Sequence, residues 1–327
     1  MVGTTIKNIF EGRALRNQII SLALIAGLAA CSGGNPFDDT AETDGGGTAE
    51  ETGGIPAVLA QNLQSFSYNP AAGTLTVTGV PTDDGVLDGV YRRRPALDRA
   101  GYEAYTAQDG SLDRHITAYV RDIRGTRAIT IVSGSQFEEV VAGNAYSNTT
   151  YSAPAATQDG GLVTYAGTYV GLLNGGGSNE DLLDVTPGTS PSVLSAQAAE
   201  VRGRALINGD FADSTVTGAI FERVIVDVDS NSNQDVNSAD PFPLNDVALD
   251  LTDIAEDGTF QGVATFNDSA IGAYGGIFGG TGATEVAGVV VLNNHITGLQ
   301  GVIENGAFVL SQCGQADQDP ICTQPFE

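Results

Sequence analysis

The stretch at residues 276–288 reads Gly-Ile-Phe-Gly-Gly-Thr-Gly-Ala-Thr-Glu-Val-Ala-Gly, and the apolar run Val-Val-Val-Leu follows it at 289–292. Glycines allow the positive φ angles of tight turns and let neighbouring side chains pack close to the backbone. An uninterrupted run of β-branched and aliphatic residues favours a buried strand. The stretch therefore predicts a turn that leads into a β-strand.

Short alternating runs continue this pattern in both directions. They lie at 74–77, 128–132, 162–165, 204–207, 224–228 and 247–251. A period of two with Gly, Asp and Asn between the runs indicates strands joined by hairpins. Only 98–106 and 192–202 are candidates for short helices. We therefore expect an all-β fold, a barrel or a sandwich, with roughly eight strands after residue 160.

The first 30 residues have the features of an export signal. Basic residues precede twelve largely apolar residues at 19–30, a run shorter than the roughly 20 residues of a membrane-spanning helix. The sequence Leu28-Ala-Ala-Cys31 resembles the bacterial lipobox. This resemblance implies cleavage after residue 30, acylation of Cys31 with palmitate-type chains, and anchoring in the outer membrane through the lipid. The alternative is an ordinary signal peptide followed by a chance cysteine.

Charge and composition restrict the possible partners. The chain has 14 Lys+Arg against 40 Asp+Glu, a net charge of −26. Such a chain repels nucleic acid and anionic headgroups, so neither is an expected ligand. Residues 31–55 are acidic and glycine-rich with few apolar side chains, which predicts a flexible tether.

The pattern of strands breaks at about 150–160. We therefore expect a smaller β-rich N-terminal domain at 56–155, a larger β-domain at 156–312 and a tail at 313–327. The tail contains Cys313 and Cys322, the two cysteines that remain after Cys31. An even remainder in an exported protein indicates a disulfide; the alternative is a metal pair, which would need more Cys or His ligands.

The larger domain resembles the β-barrel of transferrin-binding protein B and related surface lipoproteins. The family pattern G-x-F-x-G-x-x-A-x-E-x-x-G matches Gly276, Phe278, Gly280, Ala283, Glu285 and Gly288, with Thr281 in place of a frequent proline. Segments 209–218, 258–262 and 301–308 resemble further strand pairs of the family. The resemblance implies a C-terminal eight-stranded antiparallel barrel in a surface-displayed binding protein. Phe278 should point into the barrel, and Glu285 should accept hydrogen bonds from turn N–H groups.

An oxygen-rich segment at 229–240 is a candidate calcium site. Its possible ligands are Asp229, Asn231, Asn233, Asp235 and Asp240. Their spacing is similar to that of a twelve-residue Ca²⁺ loop, although Gln234 stands where such loops have glycine. The alternative is a solvated Asp/Asn hairpin loop. Calcium is the one candidate cofactor.

Tyr91, Arg92, Arg93 and Arg94 form the one basic, aromatic cluster of the chain. Tyrosine and arginine are enriched at binding hot spots, so the cluster is a candidate ligand contact; the alternative is a charged strand edge. The two histidines, His115 and His295, are far apart in sequence, and no nucleophile motif accompanies them, so we expect no enzymatic activity.

Two functions fit these features. The first is binding of an extracellular protein or small molecule at the cell surface, with a link to iron or haem uptake that rests on family resemblance alone. The second is a structural or adhesive envelope protein whose acidic surface is stabilised by calcium.

Overall fold

β-Strands make up almost all of the regular structure, as the alternating sequence pattern predicts. The computed structural model describes residues 50–51, 54–81, 88–137, 139–155, 161–178, 180–226 and 242–323. The predicted export signal, Cys31 and the whole candidate calcium loop lie outside these residues.

The described strands form two sheets that belong to one folded unit. The first sheet contains β1 (Glu50–Glu51), β2 (Ser65–Asn69), β3 (Thr74–Thr78), β4 (Asp88–Arg93), β5 (Glu103–Ala107), β6 (Ile116–Ile123), β7 (Thr126–Ser133) and β8 (Ala142–Asn148). The second contains β9 (Tyr151–Ser152), β10 (Leu162–Gly176), β11 (Ala198–Asp210), β12 (Thr215–Ile225), β13 (Phe242–Pro243), β14 (Val247–Asp253), β15 (Thr259–Phe266), β16 (Ser269–Thr281), β17 (Glu285–Asn293) and β18 (Ile303–Gln312).

Helical structure in the described residues is limited to single turns. They are α1 (Ala57–Ala60) and three 3₁₀ segments, Pro95–Leu97, Pro191–Val193 and Pro320–Thr323. No helix in this part of the chain has the length and apolar character needed to cross a membrane.

The second sheet closes into an eight-stranded antiparallel barrel. Its strands pair in the order β10, β11, β12, β14, β15, β16, β17 and β18, and β18 pairs with β10 to complete the ring. The short β13 extends along β12, and β9 runs parallel to the end of β16. The first sheet is an antiparallel meander in chain order. The all-β class and the C-terminal eight-stranded barrel are confirmed.

The glycine-rich stretch at 276–288 forms the end of β16, a turn and the start of β17. Gly276 and Gly288 are cross-strand partners, and each lies beneath an aromatic ring. A Cβ atom on Gly276 would come within 2.4 Å of the Phe260 ring, and one on Gly288 within 2.2 Å of the Phe308 ring. These glycines therefore leave space for the aromatic side chains that fill the barrel.

Alternate side chains of the barrel strands point inward and form its core. Phe278 is fully buried there, as expected, and its ring lies 5.0–5.3 Å from those of Tyr165, Phe211 and Phe260. Aromatic pairs at this spacing add to the stability that burial provides.

Part of the outer surface of the barrel packs against the first sheet, and we call this contact the shared wall. Its barrel side consists of Val170, Leu172, Val289, Val291, Ala307 and Val309, and its first-sheet side includes Tyr102, Tyr119, Ala128, Val132 and Ala142. Strands β17 and β18 are consequently buried on both faces. This explains why 289–292 is continuously apolar instead of alternating.

Tyr102, the residue before β5, contacts the barrel wall where β10 pairs with β18. Its hydroxyl donates to the carbonyl of Thr168 on β10 at 3.0 Å and accepts from the backbone N–H of Val309 on β18 at 2.9 Å. The pairing of the two strands has a gap there, between the pairs Ala166–Ser311 and Tyr169–Phe308, while the register is the same on both sides. The tyrosine hydroxyl thus substitutes for a missing backbone contact.

Both helix predictions are wrong. The 98–106 segment contains most of β5, which pairs with β6, and the 192–202 segment contains the start of β11, which pairs with β10 and β12. Intrinsic helix propensity is a weak preference. Ladder hydrogen bonds and burial of inward residues such as Val201 outweigh it.

The predicted tether also contributes to the fold at its end. Glu50 and Glu51 form β1, which pairs with Phe66 and Ser65 of β2. Edge pairing uses backbone groups, so it does not require the apolar side chains whose scarcity suggested a tether.

Candidate binding site

Four polar side chains form a buried cluster inside the barrel. The Glu304 carboxylate accepts hydrogen bonds from Arg223 at 2.5 Å and Tyr169 at 2.6 Å, and lies 2.9 Å from His295 Nε2. Burial alone would raise the pKa of Glu304, but the Arg223 charge and these hydrogen bonds lower it to about 2. The cluster is enclosed and both oxygens of the Glu304 carboxylate are paired, which indicates a structural role, while Nε of Arg223 and Nδ1 of His295 have no hydrogen-bond partner among the described residues.

Glu285 of the turn motif is also buried and paired. Its carboxylate accepts a hydrogen bond from Nε of Arg124, in the β6–β7 turn of the first sheet. Among the described residues, no turn N–H group donates to it, so the expected partner was wrong. The arginine stands 161 positions away in sequence, and the local motif gives no sign of it.

The tail is fastened to both sheets. The predicted disulfide between Cys313 and Cys322 is present. Within the loop that it closes, Asp317 pairs with Arg124 at 2.7 Å, and Asp319 pairs with an arginine on β11.

The Tyr91–Arg94 cluster divides between the two faces of β4. Tyr91 is buried in the core of the first sheet, and burial raises its pKa. Arg93 forms a bidentate ion pair with Asp98, with N–O distances of 2.5 and 2.7 Å. Arg92 is exposed, and Arg94 is partly exposed on the same face. Of the four side chains, only these last two have guanidinium nitrogens without a described partner.

Asp181 organises the surface next to these arginines. Its Oδ1 lies 2.9 Å from Nε of Arg94, and its Oδ2 accepts from Thr106 at 2.7 Å and lies 3.0 Å from His115 Nε2. Burial alone would raise the pKa of Asp181, but its hydrogen bonds to His115 and Thr106 and the Arg94 charge hold it below the ordinary value. A charged Asp181 therefore fixes the position of Arg94.

A cleft of about 170 Å³ opens beside this group. It is lined chiefly by Val90, Arg92, Arg94, Thr106, Asp181 and Leu183, with Gln108 and Asp109 at its end. The cleft thus combines two guanidinium groups with apolar sides.

Three long connections meet next to the cleft and form what we call the loop platform. They are 108–115 between β5 and β6, 134–141 between β7 and β8, and 177–197 between β10 and β11; residues 138 and 179 of these connections are outside the described part.

Two glutamine side chains tie these connections together. Gln108 donates to the Asp113 carbonyl at 3.0 Å and to Ser195 at 3.2 Å, and it accepts from the backbone N–H of Leu183 at 2.8 Å. The buried Gln136 donates to the carbonyl of Leu112 at 2.6 Å. Cross-links of this kind hold loops in one conformation, and a preformed surface has a lower entropic cost of binding than a mobile one.

The platform is also closely packed at Gly134. Its N–H donates to the His115 carbonyl at 3.0 Å. A Cβ atom at this position would come within 1.6 Å of the Ala196 carbonyl oxygen. Any larger residue would push the third connection away from the other two.

Exposed apolar side chains concentrate on this surface. Of the eleven large apolar side chains that are exposed in the described residues, six lie on the platform or at the cleft: Val90, Leu112, Phe137, Leu183, Val185 and Leu194. Phe137 is 66% exposed and has a φ of 52°, a backbone conformation that is unfavourable for a bulky residue. An aromatic side chain held outward at such a cost is a feature of functional surfaces.

Two larger cavities lie at the rim of the barrel, on either side of the β14–β15 connection. One of about 390 Å³ is lined by Tyr146 and Phe260, and one of about 300 Å³ by Tyr151 and Phe211. Neither is lined by an arginine or a histidine, and Asp253 or Glu256 faces each of them. They therefore offer aromatic surface without a cationic side chain for an anionic ligand.

The candidate calcium ligands, Asp229, Asn231, Asn233, Asp235 and Asp240, lie outside the described residues. Among the residues that are described, no group of three or more His, Cys, Asp and Glu side chains is arranged to hold a metal. Calcium binding stays a prediction.

No protein-family model and no curated protein matches the chain. Solved structures of transferrin-binding protein B (TbpB) are similar to it. Intact Ap-TbpB, with N and C lobes, is 14% identical with a TM-score of 0.35 over 77% of this chain and 55% of that one. A TbpB double mutant from Haemophilus parasuis Hp5 is 15% identical, with a TM-score of 0.34 over 77% and 53%. TbpB isotype 1 from serogroup B Neisseria meningitidis is 14% identical, with a TM-score of 0.27 over 76% and 52%. This chain spans about half the length of those proteins, and what it binds must be inferred from its own side chains.

Proposed function

We propose that this protein binds another protein through the loop platform and catalyses no reaction. The observation that carries the proposal is the concentration of exposed apolar side chains, Phe137 and Leu183 among them, on connections that Gln108 and Gln136 hold in place. A monomeric protein with a strongly charged surface rarely exposes such a patch unless a partner covers it. An apolar centre beside arginines is typical of protein interfaces.

Display on the outer membrane through a lipid on Cys31 is the second part of the proposal. The lipobox-like sequence and the acidic segment after it support this arrangement, because a tethered binding domain can reach partners outside the cell. Protease treatment of intact cells tests it. Wild-type protein should be digested from whole cells, whereas a Cys31→Ala variant should be absent from the membrane fraction. Protection of the wild type until the outer membrane is opened would contradict surface display.

Binding itself is tested with purified protein and one defined candidate. Because the barrel sequence resembles transferrin-binding protein B, transferrin is the first candidate, and immobilised transferrin gives a direct readout by biolayer interferometry. Phe137→Ser and Leu183→Ser should each weaken the complex by about tenfold or more if the platform is the interface. Leu251→Ser is the matched control, because Leu251 is 69% exposed on β14, outside the platform.

Equal binding by all three variants would contradict the platform as the interface. No binding to transferrin, together with calcium-dependent self-association of the wild type, would favour the structural or adhesive function instead.

A further inference from the structure

Arginine side chains are scarce in this acidic protein, and nearly all of those described are already paired with carboxylates. Arg93, Arg99, Arg114, Arg124, Arg127, Arg204 and Arg223 each form an ion pair, and Arg121 donates to Thr168 and stacks on Tyr102. Arg92 makes neither a hydrogen bond nor an ion pair with any described residue.

Arg94 has unused donors of its own. Its Nε is engaged by Asp181 and Thr106, but its two terminal nitrogens make no hydrogen bond with the described residues. Asp181 is itself fixed by His115, whose side chain is only 1% exposed. The guanidinium of Arg94 is therefore held in place with its outer edge free, which favours recognition of a planar anion.

The two free guanidinium edges face the same cleft. Arg92 is the cross-strand partner of Thr106, and Nε of Arg94 lies 3.3 Å from the hydroxyl of that same threonine. Asp109 also faces the cleft, so two aspartates balance the two arginines. On a chain of net charge −26, such a balanced region with free donors is favourable for an approaching carboxylate.

The volume of the cleft restricts the occupant. The cleft measures about 170 Å³. Pockets for whole small-molecule ligands are usually larger, about 300–1,000 Å³. A single acidic side chain fits this space, and the exposed Val90 and Leu183 at its sides suit apolar neighbours of that side chain.

We infer that the cleft receives an aspartate or glutamate side chain of a protein partner, flanked by apolar residues. Arg92 and the outer edge of Arg94 bind the carboxylate. This inference rests on the proposed function and specifies what the partner must present to the loop platform.

The test uses two blocked peptides, acetyl-Ala-Leu-Glu-Leu-Ala-amide and its Gln counterpart, with the full-length mature protein. Binding is followed through the side-chain N–H signals of arginine in ¹H–¹⁵N NMR spectra. We expect saturable shifts of the Arg92 and Arg94 signals with the Glu peptide, at a Kd of about 1 mM, and none with the Gln peptide. Arg92→Gln should weaken binding about tenfold; Arg202→Gln is the control, because Arg202 is an exposed arginine on β11 without a described partner.

Arg92→Gln removes no contact within the described fold, so its thermal unfolding should match that of the wild type. Equal shifts with both peptides, or a wild-type response from Arg92→Gln, would overturn the inference. A third outcome is that Phe137→Ser loses binding to the protein partner while Arg92→Gln keeps it. That result would support the platform as the interface and refute only the carboxylate site.

Discussion

Replacement of Arg223 by methionine should destabilise the barrel strongly. Methionine keeps most of the aliphatic length but removes the hydrogen bonds to Glu304 at 2.5 Å and to the carbonyl of Asn245 at 2.6 Å. Glu304 is fully buried. Its carboxylate would therefore lose the positive charge of the guanidinium and would not become hydrated in exchange. Removal of one partner of a buried ion pair costs about 3–5 kcal/mol.

The expected value lies at the lower end of that range. His295 and Tyr169 remain within hydrogen-bond distance of Glu304, so the carboxylate keeps two of its contacts. A loss of about 3 kcal/mol in the free energy of unfolding corresponds to a fall in Tm of roughly 6–12 °C for a protein of this size.

Guanidinium denaturation followed by far-UV circular dichroism measures the effect, since the chain has no tryptophan. Arg202→Met is the matched control: Arg202 lies on the adjacent strand, opposite Val224, and is exposed, so its loss should change stability by less than about 0.5 kcal/mol. The double variant Arg223→Met/Glu304→Gln should recover part of the loss, because no charge is left unpaired. A loss below about 1 kcal/mol for Arg223→Met, or no recovery in the double variant, would refute the reasoning.

Three further predictions concern pH, the tail and the platform. The pKa of Glu304 is lowered in the folded state from 4.5 to about 2, so its stabilising contribution is complete above pH 4.5 and is lost as the pH falls towards 2. This contribution amounts to about 3 kcal/mol. The difference in free energy of unfolding between wild type and Glu304→Gln should therefore shrink by that amount over this pH range, and a constant difference would contradict the prediction. Cys313→Ser opens the loop closed by Cys322 and should cost about 2–4 kcal/mol in denaturation experiments, and an unchanged midpoint would show that the loop does not need the bond. Gly134→Ala should speed hydrogen exchange in the platform, because the added Cβ would meet the Ala196 carbonyl at 1.6 Å; wild-type exchange rates there would rule out the tight packing.

The fold class was predictable because hydrophobic alternation and turn residues are local signals. The barrel strands that face water on one side, such as Val247–Asp253, show the alternation most directly. The shared wall was not predictable in the same way. The continuous burial of Glu285–Asn293 indicates that a second layer covers the strand, but no local pattern identifies the first sheet as that layer.

The candidate site was predictable only in part. Arg92 and Arg94 stand out as basic residues in an acidic chain, yet the sequence cannot show that Tyr91 and Arg93, which alternate with them, turn inward. Asp181, which orients Arg94, lies in a polar connection 87 positions after it with no motif of its own. Likewise, a glutamine such as Gln136 becomes informative only when the connections that it joins are known.

The hydroxyl of Tyr102 makes one seam of the barrel depend on a residue outside the barrel. Most closed barrels complete their hydrogen-bond ring with their own strands, but here the last seam, between β10 and β18, takes two of its bonds from a residue made about two hundred positions before Val309. The C-terminal strand is also the last barrel strand to be synthesised. Docking of the first sheet therefore completes hydrogen bonding at Thr168 and Val309, where the two strands do not pair with each other.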